Sequence, residues 1–460
     1  MRHAWSDRVT PARKRVARPT TRSVLLRPLA WAWLTITAAS AALMLFRQRP
    51  LVDWNTPARQ LFLAQTGRAH GLSPQALRAY TGCAFGDGFS YCSSATGRIG
   101  NRPWTYRPLV PFLAGIVKSV SGWGFVGSFR FIAILGLVLT VAGLAALGYG
   151  TVRRSGRMHD DAVAVGIGAV LLWLVTPFSL RLILTAPVLV DELATALIVA
   201  WLALFLAKPR YPWQWMLAPP VALLATLSRE VGVAAVAIAA VTAVVLELVP
   251  RRDLWANCAA AAIAFFFDLT RPHGVFAGNS KTIAWRDTVY NVRHPRETLA
   301  AILMATGIAL FAVLPPCVAR LKRALPDPRP LQALIPITVA YLVSSTFIGS
   351  DLPRYSSAAA PLLCILLACY VVLVADNVRL LLLAGAAAII LVKWRLFGVV
   401  GRNWMGYFNY FYARDTFRAP IELVLIGFAV ALAALDYRKL RAGRVPASSD
   451  PIGASWGDGD

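Results

Sequence analysis

The sequence predicts an all-α fold: a polytopic transmembrane helical bundle of about 12 spans, with a long first periplasmic loop carrying surface helices. Three observations predict it. Apolar residues make up 57% of the 460 residues, and the mean hydropathy is +0.58. Charged residues make up only 15%, against about 25% in soluble domains. Runs of roughly 18 apolar residues, each long enough to cross a bilayer as a helix, recur from end to end. One all-apolar helix can be the core of a large soluble protein, but about a dozen of them argue for lipid.

The spans follow in order. Leu29–Phe46 is the first, preceded by a basic arm. Small residues at Ala38-Ala-Ser-Ala-Ala42 suit a secretory signal, yet the many later spans favour an uncleaved signal anchor. A long polar loop over about 47–125 comes next. Within it Pro108–Ser121 is too short to span and reads as a helix lying along the membrane surface. Phe131–Tyr149, Ala162–Phe178, Val188–Ala207, Trp213–Leu227, Val231–Val249 and Leu254–Leu269 are the next six spans. Leu299–Cys317, Leu331–Ile348, Ala358–Ala375, Leu380–Val392 and Ile421–Leu435 complete the set, Leu380–Val392 being short enough for a re-entrant segment. The chain thus divides into a disordered basic arm (1–25), a transmembrane domain (26–437) and a disordered tail (438–460). There is no internal repeat.

Orientation comes from the short connections. The arm carries Arg2, Arg8, Arg13, Lys14, Arg15, Arg18, Arg22 and Arg27 against Asp7, which places it in the cytoplasm. The even connections then hold Arg153, Arg154 and Arg157; Lys208 and Arg210; Arg251 and Arg252; Arg320, Lys322, Arg323 and Arg329; and Arg379. The tail opens with Arg438, Lys439, Arg441 and Arg444. Short odd connections hold one arginine each: Arg181, Arg229 and Arg354. The expected location is the bacterial inner membrane, with both termini cytoplasmic. Much of the net charge of +25 is then a flank facing anionic lipid. A nucleic-acid role is excluded, because it needs a basic soluble domain. The basic outer loops meet either phosphate-bearing lipids or water.

Of the six cysteines, Cys258, Cys317, Cys364 and Cys369 fall within or at the ends of spans and read as small apolar packers. Cys83 and Cys92 bracket Asp87 in the first outer loop. In an oxidising compartment they are a disulfide candidate; otherwise they are two unrelated thiols. The five histidines are scattered, and no Cys/His cluster has metal-ligand spacing.

Sidedness gathers the polar residues. Asp87, Arg102 and Arg107 share the first outer loop. Asp191 and Glu192 fall at the outer end of one span, Arg229-Glu230 at an outer hairpin, and Asp351 with Arg354-Tyr355 at another. Each alone reads as a capping or interfacial charge, and acidic residues do favour helix starts. Arg229-Glu230 fits that reading least, since it interrupts a nearly unbroken apolar stretch. A carboxylate at this face can take a proton from a hydroxyl nucleophile. Arginines can grip a phosphate or pyrophosphate leaving group. These are the parts for moving a sugar from a lipid phosphate to a hydroxyl.

Asp87-Gly-Phe-Ser-Tyr91, Arg107-Pro-Leu-Val-Pro111, Asp191-Glu192, Arg229-Glu230 and Arg354-Tyr355 occur in this order. In that respect the chain resembles the GT-C superfamily of polytopic membrane glycosyltransferases, over roughly Leu29 to Tyr370. The resemblance rests on spacing and order. It departs in lacking an acidic pair in the first loop and a large soluble domain after the spans. It implies an enzyme that takes a polyprenyl-phosphate sugar donor, acts on a lipid or glycan acceptor, and inverts the anomeric centre. It implies Asp87 as catalytic base or acceptor anchor, with Asp191 or Glu192 assisting or holding a divalent cation if one is used. Arg229 and Arg354 would hold the donor phosphate, and Arg107 would order the loop. The competing readings are a transporter or lipid flippase, with Pro219-Pro220 and Pro315-Pro316 as helix breaks, and a non-catalytic membrane subunit.

Overall fold

A computed structural model describes residues 91–92, 94–96, 107–176, 191–206, 216–229, 231–270, 280–348 and 355–374. Among the described residues the structure is helical, with no strand, so the all-α class holds there. The chain termini and the spans expected at Leu29–Phe46, Leu380–Val392 and Ile421–Leu435 lie outside them.

Helix α1 (Leu109–Ser121) is the expected surface helix. It buries Val110 and Ala114 and exposes Phe112, Ile116 and Val120, one apolar stripe at a spacing of four. Gly122, at φ 71°, ends it in the left-handed region that glycine enters at no steric cost. Helix α2 (Phe125–Arg154) is 30 residues, ~45 Å long. Residues Gly127–Arg154 within it are long and apolar enough to cross a membrane. No other helix among the described residues passes that test. Leu109–Ser121, Ala218–Ser228, Gly232–Val245 and Ser357–Leu373 are apolar but shorter.

Helices α3 (His159–Val175), α4 (Asp191–Leu206), α5 (Ala218–Ser228), α6 (Val231–Val245) and α7 (Arg251–Thr270) coincide with expected spans to within a few residues. Asp160 and Asp161 open α3 and Asp191 and Glu192 open α4, where acids complement the positive end of the helix dipole. Pro219-Pro220 starts α5 and breaks no helix; the first turn has no use for the missing N–H groups.

Two stretches differ from expectation. Ser280–Arg293 is a helix (α8) inside what reads as an outer loop, too polar to register as a span. The expected span Leu299–Cys317 is broken into helix α9 (Pro295–Thr306), a 3-10 segment (Gly307–Val313) and helix α10 (Pro315–Ala324). Pro315-Pro316 cannot continue a helix but can begin one, so a new helix starts there. A single turn at Arg329–Gln332 (α11) leads into α12 (Leu334–Ile348), and a 3-10 turn at Ser357–Ala359 into α13 (Ala360–Leu373).

Helix α2 packs on α1, α3 and α4; α5 lies between α4 and α7; α13 packs on α3. Every residue of α13 from Ala360 to Val371 is buried, which makes it the enclosed centre. The main core includes Leu144, Trp201, Leu206, Ile337 and Leu362. Close approach is set by small residues: a Cβ on Gly166 would lie 2.9 Å from the Ala145 carbonyl oxygen. The outward faces stay apolar. Phe131, Ile134, Leu135 and Val138 form an exposed stripe on α2, and Ile263, Phe266 and Phe267 are exposed on α7.

The basic connections meet at one end. Arg154 donates to the carbonyls of Leu206, at 2.6 Å, and Leu248, so one guanidinium covers the ends of α4 and of the stretch after α6. Arg157 donates to the Ala324 carbonyl at the end of α10. The Asp327 N–H donates to the Ser155 carbonyl at 3.2 Å. Arg329 hydrogen-bonds the Asp327 carboxylate at 2.9 and 3.0 Å and holds that carboxyl below its ordinary range.

Candidate functional site

The opposite end brings Asp191, Arg229 and Tyr355 together. Helix α5 stops at Ser228, and Arg229 adopts extended dihedrals (φ −164°, ψ 138°) that throw its side chain clear of the helix. Its N–H still caps the Ala225 carbonyl at 3.2 Å, and the Gly232 N–H returns to the Arg229 carbonyl at 2.9 Å as α6 begins. This reversal is tight enough that a Cβ on Gly232 would sit 2.8 Å from the Ala225 carbonyl, so glycine is needed for the close approach.

The Arg229 guanidinium hydrogen-bonds the Asp191 carboxylate at the start of α4. Both side chains are buried, at 5% and 6% exposure. The Tyr355 ring lies 4.9 Å from the guanidinium carbon, in cation–π range. Three segments far apart in sequence thus meet at one charged centre. Glu192, one residue on, is buried beside it.

A narrow cleft adjoins this centre. Its walls include Arg229 and Tyr355, Thr195 of α4, and Tyr341, Ser344 and Ser345 of α12. The Ser345 and Ser356 hydroxyls are 2.9 Å apart and tie α12 to the segment before α13.

The first loop reaches the same end. Arg107, buried, donates to the Tyr91 hydroxyl at 2.6 Å. Tyr91 and Cys92 pack with Val110, Ala114, Phe125, Phe129, Ile132 and Leu193. Leu193 follows Asp191-Glu192 directly, so this second core abuts the charged centre. Helix α2 is held close there: a Cβ on Gly136 would lie 3.0 Å from the backbone of Glu192 and Leu193.

Of the residues singled out in the sequence, Asp191, Arg229 and Tyr355 come together, Glu192 lies beside them, and Arg107 sits in the adjoining core. Asp87, Glu230, Arg354 and Cys83 lie outside the described residues. Cys92 is disulfide-bonded, whereas Cys258, Cys364 and Cys369 are free thiols. Tyr341, Ser344 and Ser345 escaped the sequence reading because they carry no charge. Their signal is three hydroxyls at a spacing of three and four on one face of an apolar helix. Among the described residues no three His, Cys, Asp or Glu side chains gather in one group, and Asp191 is engaged by a guanidinium.

The fold and the site define a helical bundle with a buried, arginine-centred polar site at one end. No protein-family model, curated protein or solved structure matches the chain.

Proposed function

We propose that this chain is a polytopic glycosyltransferase of the bacterial inner membrane, moving a sugar from a polyprenyl-phosphate donor to a hydroxyl on a lipid or cell-surface glycan. The observation that carries this reading is the meeting of Asp191, Arg229 and Tyr355 at one end of the bundle, away from the basic connections. Exposed apolar stripes on α2 and α7 support lipid as the surrounding solvent, with about 12 spans in the whole chain. The apolar stripe of α1, beside the site, supports a helix lying in the membrane interface.

In this reading Arg229, aimed by Asp191 and shielded by Tyr355, grips the donor phosphate together with Arg354. The occupied Asp191 carboxylate positions Arg229 and takes no proton. Asp87 is the base. Four residues of chain, at most ~14 Å, separate it from Tyr91, which is anchored by Arg107 next to the site. The acceptor hydroxyl gives its proton to Asp87, and its oxygen bonds to the anomeric carbon. The bond from that carbon to the phosphate oxygen breaks, and the lipid phosphate leaves with the electron pair. One displacement inverts the centre.

The test is Asp87→Asn, assayed in membranes for glycan product and for donor binding. Turnover falls by about 100-fold or more, as when a positioned base is lost, while donor binding persists. Full product from this variant refutes the base assignment. One observation favours a transporter or flippase: the break of the Leu299–Cys317 segment at Gly307–Val313, since carriers place sites at interrupted helices. Lipid exchange without any glycosylated product would decide for that reading.

A further inference from the structure

Tyr341 is 5% exposed, and its hydroxyl finds no hydrogen-bond partner among the described residues. A buried unpaired hydroxyl costs free energy that the surrounding helices do nothing to recover. The same side chain is part of the cleft wall beside Arg229 and Tyr355. Its neighbours one turn on behave differently. Ser344 donates to the Tyr341 carbonyl at 3.1 Å and Ser345 to the Leu342 carbonyl at 2.6 Å, so both are spent on the helix or on Ser356. Tyr341 lies seven residues before the end of α12, about 10 Å along the helix.

We propose that the Tyr341 hydroxyl donates a hydrogen bond to a phosphate oxygen of the ligand seated in this cleft, completing with Arg229 and Tyr355 a site for a lipid phosphate. This assignment rests on the glycosyltransferase reading and adds a binding residue to it. A neutral phenol suits the task. Arg229 shares its charge with Asp191, and a second buried cation would need its own counter-charge, whereas a hydroxyl donates without one. The stability given up in the empty protein is recovered when the ligand oxygen arrives. That is the pattern expected of a residue kept for binding.

The experiment uses full-length protein in lipid nanodiscs, wild type and Tyr341→Phe. Melting is followed without ligand, and binding is measured with a polyprenyl monophosphate, the matching polyprenol and inorganic phosphate. The variant melts at or above the wild-type temperature without ligand, because it loses only an unpaired hydroxyl. Its affinity for the polyprenyl monophosphate falls about 10- to 100-fold, the usual worth of a hydrogen bond to a charged group. Its polyprenol binding is unchanged. A variant that melts well below wild type has lost a structural contact, and the proposal fails. A variant that binds the monophosphate as tightly as wild type overturns the Tyr341 assignment and leaves the glycosyltransferase reading standing. Wild-type protein that binds polyprenol as well as the monophosphate overturns both. Binding of inorganic phosphate as tight as that of the monophosphate removes the lipid from the site.

Discussion

Asp191→Leu and Arg229→Met each leave the other's buried charge without its partner, and together they remove the pair. The side chains are 5% and 6% exposed, so water screens the pair weakly. At hydrogen-bond separation and an effective dielectric of about 20, the attraction is ~5 kcal/mol. Desolvation of both ions offsets most of it, so the pair adds little net stability while either partner alone is costly. Each single variant should therefore lose about 3–5 kcal/mol, and the double variant should return to within ~2 kcal/mol of wild type. The assay is denaturant unfolding of full-length protein in bicelles, arranged as a double-mutant cycle. The double variant should fold and yet transfer no sugar, because the guanidinium for the donor phosphate has gone. A single variant costing under ~1 kcal/mol refutes the reasoning, as does a double variant costing the sum of the two.

Three further outcomes are expected. Gly136→Ala puts a methyl 3.0 Å from the backbone of Glu192 and Leu193, where no flexible side chain can yield. It should cost about 1–3 kcal/mol in the same unfolding assay and lower turnover. Gly127→Ala, whose methyl would meet only Trp123 at 3.5 Å, should be neutral or stabilising. At the basic end, the Asp327 carboxyl is held low by its hydrogen bonds from Arg329. A depressed carboxyl contributes stability above its unfolded pKa of about 3.9, and that contribution is lost as pH falls through the lower folded value. Asp327→Asn should flatten the acid limb of the melting curve, slightly, because the pair is partly exposed. An acid limb identical to wild type would remove the pair from the pH response.

Five of the expected helical segments, from Pro108–Ser121 to Leu254–Leu269, return as α1, α3, α4, α6 and α7 with close boundaries; α2 returns longer at both ends than the expected Phe131–Tyr149, and α5 shortened at its start. Apolar runs of that length leave the backbone few choices, since its polar groups must be satisfied within the segment. Leu299–Cys317 misled because hydropathy is blind to hydrogen-bond geometry: Pro315-Pro316 is apolar but cannot sit inside a helix. Ser280–Arg293 was hidden for the opposite reason, being helical without being apolar.

The amino-acid order alone determined that helices would form, roughly where, and that the Arg229-Glu230 pair was out of place in a nearly unbroken apolar stretch. Charge is visible in a string because its burial is always costly, wherever the chain leads. Only packing decided that Asp191 pairs with Arg229, that Tyr355 lies beside the guanidinium, and that Arg154 covers the ends of two segments. Tyr341 belongs wholly to the tertiary structure. A hydroxyl costs or contributes according to whether an acceptor stands within ~3 Å, and that distance is set by helices joined through segments far apart in sequence.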